Sequence, residues 1–369
     1  MKKFSQLGIF TLTIALAVLL IMPSAQAVDF KISGQVNRAV LWGDNGNDDD
    51  VKFVDNDNSS TRFRFTGENE FDNMWNAGIV WEVQMESNSS SDDSDNDDPP
   101  DGIGDLDIGE NGDVGGLSFT ERKIEFYVDH KKLGRVWLGQ GDTASNGTSE
   151  VDLSGTDVVN YSSIEDMAGA FYFRTGADAI VTSVASAFNN FDGLSRRDRI
   201  RYDTPTFAGF FASASYMNGQ SWDVALRSAH EWEGFGKLAA AIAYVPGLSN
   251  RDPNKQFDGS ISFLHNSGIN LTLSHGTLNF DAAGRDTAHN YYGKLGYKFG
   301  KWALSADYTY SENVAQNDDE AKSVGVAAVW DIWDSVQFYG SYRWHSLDRA
   351  GVADIEDLSA VMIGGRVKF

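Results

Sequence analysis

Segments of about ten residues with alternating polarity recur along nearly the whole chain, and this rhythm limits the fold more than any other feature. In Leu358–Phe369, Val361, Ile363, Gly365, Val367 and Phe369 alternate with Met362, Gly364, Arg366 and Lys368. A period of two puts one set on each face of a strand. A strand of this kind has an open edge unless another pairs with it. Asp29–Trp42 has the matching pattern, with Phe30, Ile32, Gly34 and Val36 on one face. Pairing the two closes the sheet into a cylinder.

Strands are predicted near 29–42, 59–70, 77–86, 117–127, 134–141, 197–204, 208–217, 221–232, 236–245, 256–266, 269–279, 288–299, 302–312, 321–332, 335–346 and 357–369. That is about sixteen, an even number, which leaves both ends on one side, the periplasm. Short connections such as Pro205–Phe207 and Asn266–Gly268 alternate with long ones such as Ser87–Gly116 and Asp142–Arg196. Short turns on one side and long loops on the other mark an all-β, antiparallel transmembrane barrel. Apolar faces such as Trp302, Leu304, Ala306, Tyr308 and Tyr310 suit outer-membrane lipid, and aromatic residues gather at strand ends. A soluble β-sandwich would show the same alternation; strand length, loop asymmetry and the terminal Phe argue against it.

The first residues are different. Met1-Lys2-Lys3 is basic, Leu7–Met22 is apolar, and Ala25-Gln26-Ala27 has the small residues of a cleavage site. Residues 1–27 therefore read as a signal peptide and 28–369 as one barrel domain. With 53 Asp+Glu against 30 Lys+Arg the net charge is −23, which argues against nucleic acid as a partner. There is no Cys, so disulfides, thiolate metal sites and Cys nucleophiles are excluded.

If the apolar face meets lipid, the other face lines a water-filled interior. Arg62 and Arg64 face in, opposite Phe63 and Phe65, as do Lys123 and Glu125, and then Arg197, Arg199 and Arg201. The connection Asp142–Arg196, the third long loop, is far longer than a turn requires, and long connections are usually functional. Its first part carries Asp142, Glu150, Asp152 and Asp157. Folded inward, these acids would face the Arg/Lys wall across a constriction, with a transverse field that selects solutes by size, dipole and charge. The same arginines could equally serve to hold the loop by salt bridges. Within this loop Met167–Asn190 is unusually apolar; an extra hairpin there would raise the strand count to eighteen. Arg38 falls on the lipid-facing parity and is expected to snorkel or to follow a bulge.

Ser33–Val36 (SGQV), Ser60–Gly67 (STRFRFTG), Gly134–Thr143 (GRVWLGQGDT), Arg199–Phe210 (RIRYDTPTFAGF) and the terminal Phe369 give the chain a resemblance to the general porins of Gram-negative bacteria. The resemblance implies a trimeric diffusion channel in the cell outer membrane, passing small hydrophilic solutes and ions. It implies a third loop folded into the lumen as the constriction. By matching motif it puts Arg62, Lys123 and Arg201 on the basic wall, with Arg64 and Arg199 their neighbours of the same parity. It also makes Phe369 the tag read by the barrel-insertion machinery. Gln140 departs from the pattern, standing where such motifs often carry Arg.

No catalytic residues are expected: His130, His230, His265, His275, His289 and His345 are scattered singly, with no GxSxG nearby. No cofactor is expected, although Asp48–Asp57 and Asp101–Asp113 offer carboxylates for Ca²⁺. The acidic mouths predict a mild cation preference. A sugar- or anion-specific channel and a surface adhesin or receptor are the rival readings.

Overall fold

In the computed structural model, residues 29–91, 118–218, 221–247 and 254–369 are described. The expected leader and the acidic stretch Asp101–Asp113 lie outside them. The strands are β1 (Asp29–Asp44), β2 (Asp49–Asp55), β3 (Arg62–Glu70), β4 (Trp75–Glu86), β5 (Ser118–His130), β6 (Gly134–Asp142), β7 (Tyr172–Arg174), β8 (Ile180–Ser183), β9 (Arg196–Asp203), β10 (Phe210–Met217), β11 (Trp222–Trp232), β12 (Gly236–Val245), β13 (Lys255–His265), β14 (Ile269–Asn279), β15 (Ala288–Phe299), β16 (Trp302–Glu312), β17 (Asp319–Trp333), β18 (Val336–Arg349) and β19 (Leu358–Lys368). Those expected at 236–245, 269–279, 288–299 and 302–312 are found within these bounds.

Sixteen strands form a closed antiparallel wall. Each of β3–β6 and β9–β19 pairs with its neighbour, and β19 returns to β1 with Gln35 opposite Lys368 and Asp44 opposite Ser359. The apolar stretch in the third loop does make a hairpin, β7–β8, but as a separate two-stranded sheet, so the wall does not grow to eighteen. The strand expected at 59–70 starts later, as β3 at Arg62, and the pairing along β1 is interrupted before it. β3 pairs with the lower half of β1, β2 with its upper half, and Asp57–Ser59 form a short 3₁₀ turn between them. β2 lies in what the sequence marks as a loop.

Gln35 and Asn37 explain the interruption. Their amides donate to the carbonyls of Ser59 and Ser60, all at 2.8 Å, and hold the turn against the inside of β1. Arg38 points outward without a bulge, and its charge is met by Asp55 at 2.6 Å, itself buried.

Apolar rings cover the outer face. Phe63, Phe65 and Trp81 pack in a row with centroids 5.5 and 5.4 Å apart. At one rim His275, His289, Tyr291 and Tyr310 stack successively. At the other, Trp302 stacks on Trp330 at 5.4 Å, and His230, Trp232, Phe235 and His265 form a second cluster. Amphipathic rings in two bands match the two faces of a bilayer. Among the described residues no helix is long and apolar enough to cross one.

The seam at β1 and β19 depends on one glycine. Gly34 and Phe369 exchange both backbone hydrogen bonds, at 2.9 and 3.0 Å, and the Phe369 ring lies where a side chain at 34 would stand, 2.5 Å from an ideal Cβ. Gly34→Val is expected to slow closure and to lower the yield of heat-resistant barrel on gels severalfold, by a cost of about 1–3 kcal/mol for overpacking. Gly234→Val, at a turn with nothing within 4 Å, controls for handling, although its φ of +74° carries a backbone cost of its own.

Candidate functional site: a charged passage inside the barrel

The chain from Asp142 to Arg196 lies against the inner wall. Its root is fixed where Ala144 N–H donates to Ser215 Oγ at 2.5 Å and Ser145 N–H to the fully buried Asp223 at 2.8 Å. It then crosses successive strands. Val151 and Leu153 donate to Ser260 and Ser262 of β13 at 2.9 Å, Thr156 bonds Ser305 of β16 at 2.9 Å, and Asn56 donates to Val158 O at 2.8 Å. Small hydroxyl residues line this track because the backbone of the loop comes too close for larger ones.

Two buried ion pairs hold the far side. Lys294 of β15 bonds Asp152, and Arg343 of β18 pairs with Asp307 of β16 at 3.0 Å while reaching Asn160 of the loop. Beyond them, against β19 and β1, lies an apolar core. Phe171, Phe173, Phe188, Met167 and Ile164 pack on Leu41, Leu358, Ala360 and Met362 of the wall. Gly43 leaves the socket for Phe171: an ideal Cβ there would stand 2.0 Å from the ring. The β7–β8 hairpin is bound to other connections. Glu356 N–H and Asn47 Nδ2 donate to the carbonyls of Arg174 and Thr175 at 2.8 and 3.0 Å.

What stays open is a cavity of about 710 Å³. Its lining includes Arg62, Arg122 and Arg196 together with Glu150, Asp157, Glu165, Asp166, Asp192 and Asp57. The nine residues expected at the site divide into two groups. Arg62, Glu150 and Asp157 line the cavity. Arg64 stands behind, bonded to the buried Glu82 at 2.6 Å. Lys123 is bonded to Asp142, Arg199 to the buried Glu125, Arg201 to Asp203 at 2.7 Å, and Asp152 to Lys294. Asp142 closes β6 and also meets Arg196 at 3.3 Å, so it belongs to the basic wall and not to the loop opposite.

Two lining cations are not among those expected. Arg196 opens β9, where the loop returns to the wall, and only its position relative to that boundary could have marked it. Arg122 has outward parity in the sequence; a bulge between β4 and β5 turns it inward.

The acids that line the cavity bear no ion pair among the described residues. Glu150 accepts only from Ser163 at 3.1 Å and Asn190 at 3.2 Å. Burial, with Asp192 and Asp166 as like charges, pushes its carboxyl well above the usual range. Burial beside Asp166 raises Glu165 to about 8, and burial raises Asp166 itself to about 6 although Tyr161 donates to it.

Asp101–Asp113, offered for Ca²⁺ by its carboxylates, lies outside the described residues. In Asp48–Asp57, Asp49 accepts from Trp42, Asp50 pairs with Lys52 at 2.8 Å and Asp55 serves Arg38. No group of three His, Asp or Glu side chains suited to a metal ion occurs among the described residues.

A closed antiparallel wall, apolar on its outer face and enclosing a polar cavity, defines a transmembrane β-barrel. The sequence pattern of the family described as "Gram-negative porin" matches residues 15–350, and the chain belongs to that family. It is an outer-membrane porin. Among solved structures it is similar to an anion-selective porin from Comamonas acidovorans, at 15% identity and TM-score 0.58, covering 93% of this chain and 100% of that one. It is similar to OmpF of Salmonella typhi in complex with daunomycin, at 14% and 0.57, covering 92% and 97%. It is also similar to the trimer form of OmpT, an outer membrane protein of Vibrio cholerae, at 13% and 0.56, covering 93% and 100%. No curated protein sequence matches the chain.

Proposed function

We propose that the barrel is a passive channel for small hydrophilic solutes and ions, narrowed where the third loop faces the arginine wall. The observation that supports this most is the cavity itself, lined by three arginines and by six carboxyls that have no ion pair among the described residues. Opposed charge across a narrow aqueous gap orders water and sorts solutes by dipole and charge. In planar bilayers the protein is expected to conduct stepwise and to pass sugars below a sharp size limit. Absence of current from folded, inserted protein would sink the reading, and hydrolysis of the lipid would favour an enzyme.

The acids on the loop and in the outer connections favour cations at the mouth, so a mild cation preference is proposed. Anion passage is the second reading, since the arginine wall carries surplus positive charge. The preference has a pH signature. A carboxyl whose pKa is raised is neutral below that value and charged above it. With Asp166 near 6 and Glu165 near 8, the negative side gains charge as pH rises from about 6 to 8. The cation-to-anion permeability ratio is expected to climb about twofold over that interval. A flat or falling ratio would show that these acids do not govern passage.

Three copies are proposed to assemble, as the general porins do, and the Vibrio cholerae OmpT has a trimer form. Crosslinking in membranes checks this. Residues 1–27 are proposed to be removed on export, which the mass of the membrane-extracted protein tests, and Phe369 to be the insertion tag.

A further inference from the structure

Large apolar side chains fill most outward positions of the wall, but β10 sets Ala212 and Ala214 between Phe210 and Tyr216. A groove of about 360 Å³ runs over these two alanines on the outer face. Its lining follows the strand pairing. Tyr202, Ala214, Val224, Tyr244 and Phe257 are successive partners from β9 to β13, and Ala212, Leu226 and Ile242 form the row beside them.

One end of the groove meets a cationic turn. The Tyr202 hydroxyl donates to Leu133 O at 2.6 Å, in the connection between β5 and β6. Lys131 and Lys132 of this connection are exposed and have no ion pair among the described residues. The turn is held in place. Lys131 N–H donates to Met74 O at 3.1 Å, and His130 Nδ1 accepts from the N–H groups of Lys132 and Leu133 at 3.2 and 3.1 Å. That leaves the imidazole proton on Nε2. The His130 ring packs on Trp75, with centroids 4.4 Å apart. A second cavity, of about 340 Å³, opens here; His130, Lys131 and Arg135 line it, and it shares Thr204 with the groove. Its two carboxylates are already engaged, Asp129 with Arg135 at 3.1 Å and Asp203 with Arg201 at 2.7 Å. On the neighbouring turn Asp72 accepts from Met74 and Trp75 N–H at 2.7 and 2.9 Å. Other short connections carry the opposite charge, with Glu231 and Glu233 at one and Asp331 and Asp334 at another.

An apolar groove that runs into a cationic recess at the membrane surface suits an amphiphile with a negative head. We propose that β9–β13 and the turn at Lys131 bind an anionic glycerophospholipid of the leaflet on the short-turn side. An acyl chain lies over Ala212 and Ala214, and the headgroup phosphate meets Lys131, Lys132 and His130. Lysines beside an anionic headgroup strengthen such attachment, and salt weakens it.

The test uses the whole protein in detergent, with phosphatidylglycerol or phosphatidylcholine added and bound lipid counted by native mass spectrometry. Phosphatidylglycerol is expected to stay on the chain at least about fivefold better than phosphatidylcholine. Lys131→Gln with Lys132→Gln is expected to lower its retention about tenfold. Lys298→Gln with Lys301→Gln removes the same charge from a different short connection and is expected to leave retention within about twofold of native. Ala214→Phe fills the groove without touching the charges and is expected to lower retention about fivefold, because the acyl chain loses its buried contact. Equal retention of the two lipids, or native retention after loss of both Lys131 and Lys132, overturns the inference. The chain has no Cys, so Ala214→Cys reports what covers the groove in the membrane. Disulfide-linked pairs of chains would put a second copy there and overturn the lipid site as well. If Ala214→Phe fails to fold, the lysine variants still decide. No readout depends on current, so failure here leaves the channel reading untouched.

Discussion

Replacing Phe171 and Phe173 together by alanine is expected to raise single-channel conductance by about twofold or more and to make it noisy. These rings are 1% and 0% exposed and sit at the centre of the core that binds the third loop to β1, β18 and β19. Each Phe→Ala change in such a site costs about 3–5 kcal/mol, through lost burial and the cavity left behind. The wall does not depend on them, because its strands pair with each other. The cost therefore falls on the loop, which detaches over this half of its course while its root stays bound to Asp223 and Ser215. Bilayer recording reads the change, and unaltered heat resistance on gels shows that the wall is intact. An unchanged conductance would mean that the polar track alone holds the loop, and that the dry core contributes nothing to the width of the passage.

Arg343→Ala is expected to destabilise the loop's seat by about 3–5 kcal/mol, the usual cost of breaking a buried pair from one side. Arg343 and Asp307 have side chains 1% and 0% exposed. The guanidinium also bonds Ser323 at 3.0 Å, so its loss leaves several polar groups without partners. Protease protection of the loop and the urea midpoint of tryptophan fluorescence both report the loss. The double variant Arg343→Met with Asp307→Leu separates two causes. If the damage comes from the stranded carboxylate, the apolar pair recovers most of the stability. If it comes from the missing bonds to Asn160 and Ser323, the double variant stays as weak as the single one. Lys237→Ala is the contrast. Its pair with Glu231 spans 3.2 Å between side chains 54% and 69% exposed, and its removal is expected to change nothing measurable.

The strands were legible because each has one face in lipid and one toward water, so polarity reports orientation residue by residue. Arg62 and Arg64 lie on the face opposite Phe63 and Phe65 for that reason. The rule fails where its premise fails. Arg122 is misread because a bulge shifts the count by one, and a bulge depends on how β4 and β5 pair. β2 is hidden because Asp49 and Asp50 give it the composition of a loop. The anchors Lys294, Arg343, Asp307 and Asp223 lie far from the loop in sequence, and nothing local marks them as its partners. One signal was available. Ala321, Ala327 and Val329 of β17 are buried inside while Val324 and Val326 are exposed outside, so this strand is apolar on both faces. A strand apolar on both faces is covered on both, and only a folded-in segment could cover the inner one. The third loop is that segment: Thr156 bonds Ser305, the strand partner of Ala327, and Gly155 lies against Ala303, the partner of Val329.

The seam at β1 has a temporal meaning. Tyr339 bonds Asn37 at 2.6 Å across 302 residues of chain, and β19 completes the same face. Contacts of such long range are slow to form, because much chain entropy is lost before any reward arrives. Until then β1 and β19 are bare strand edges, open to adhesion with any similar chain. Assembly of this wall therefore ends in a single late, rate-setting event, and whatever escorts the polypeptide to the membrane must keep both edges apart until both can be joined.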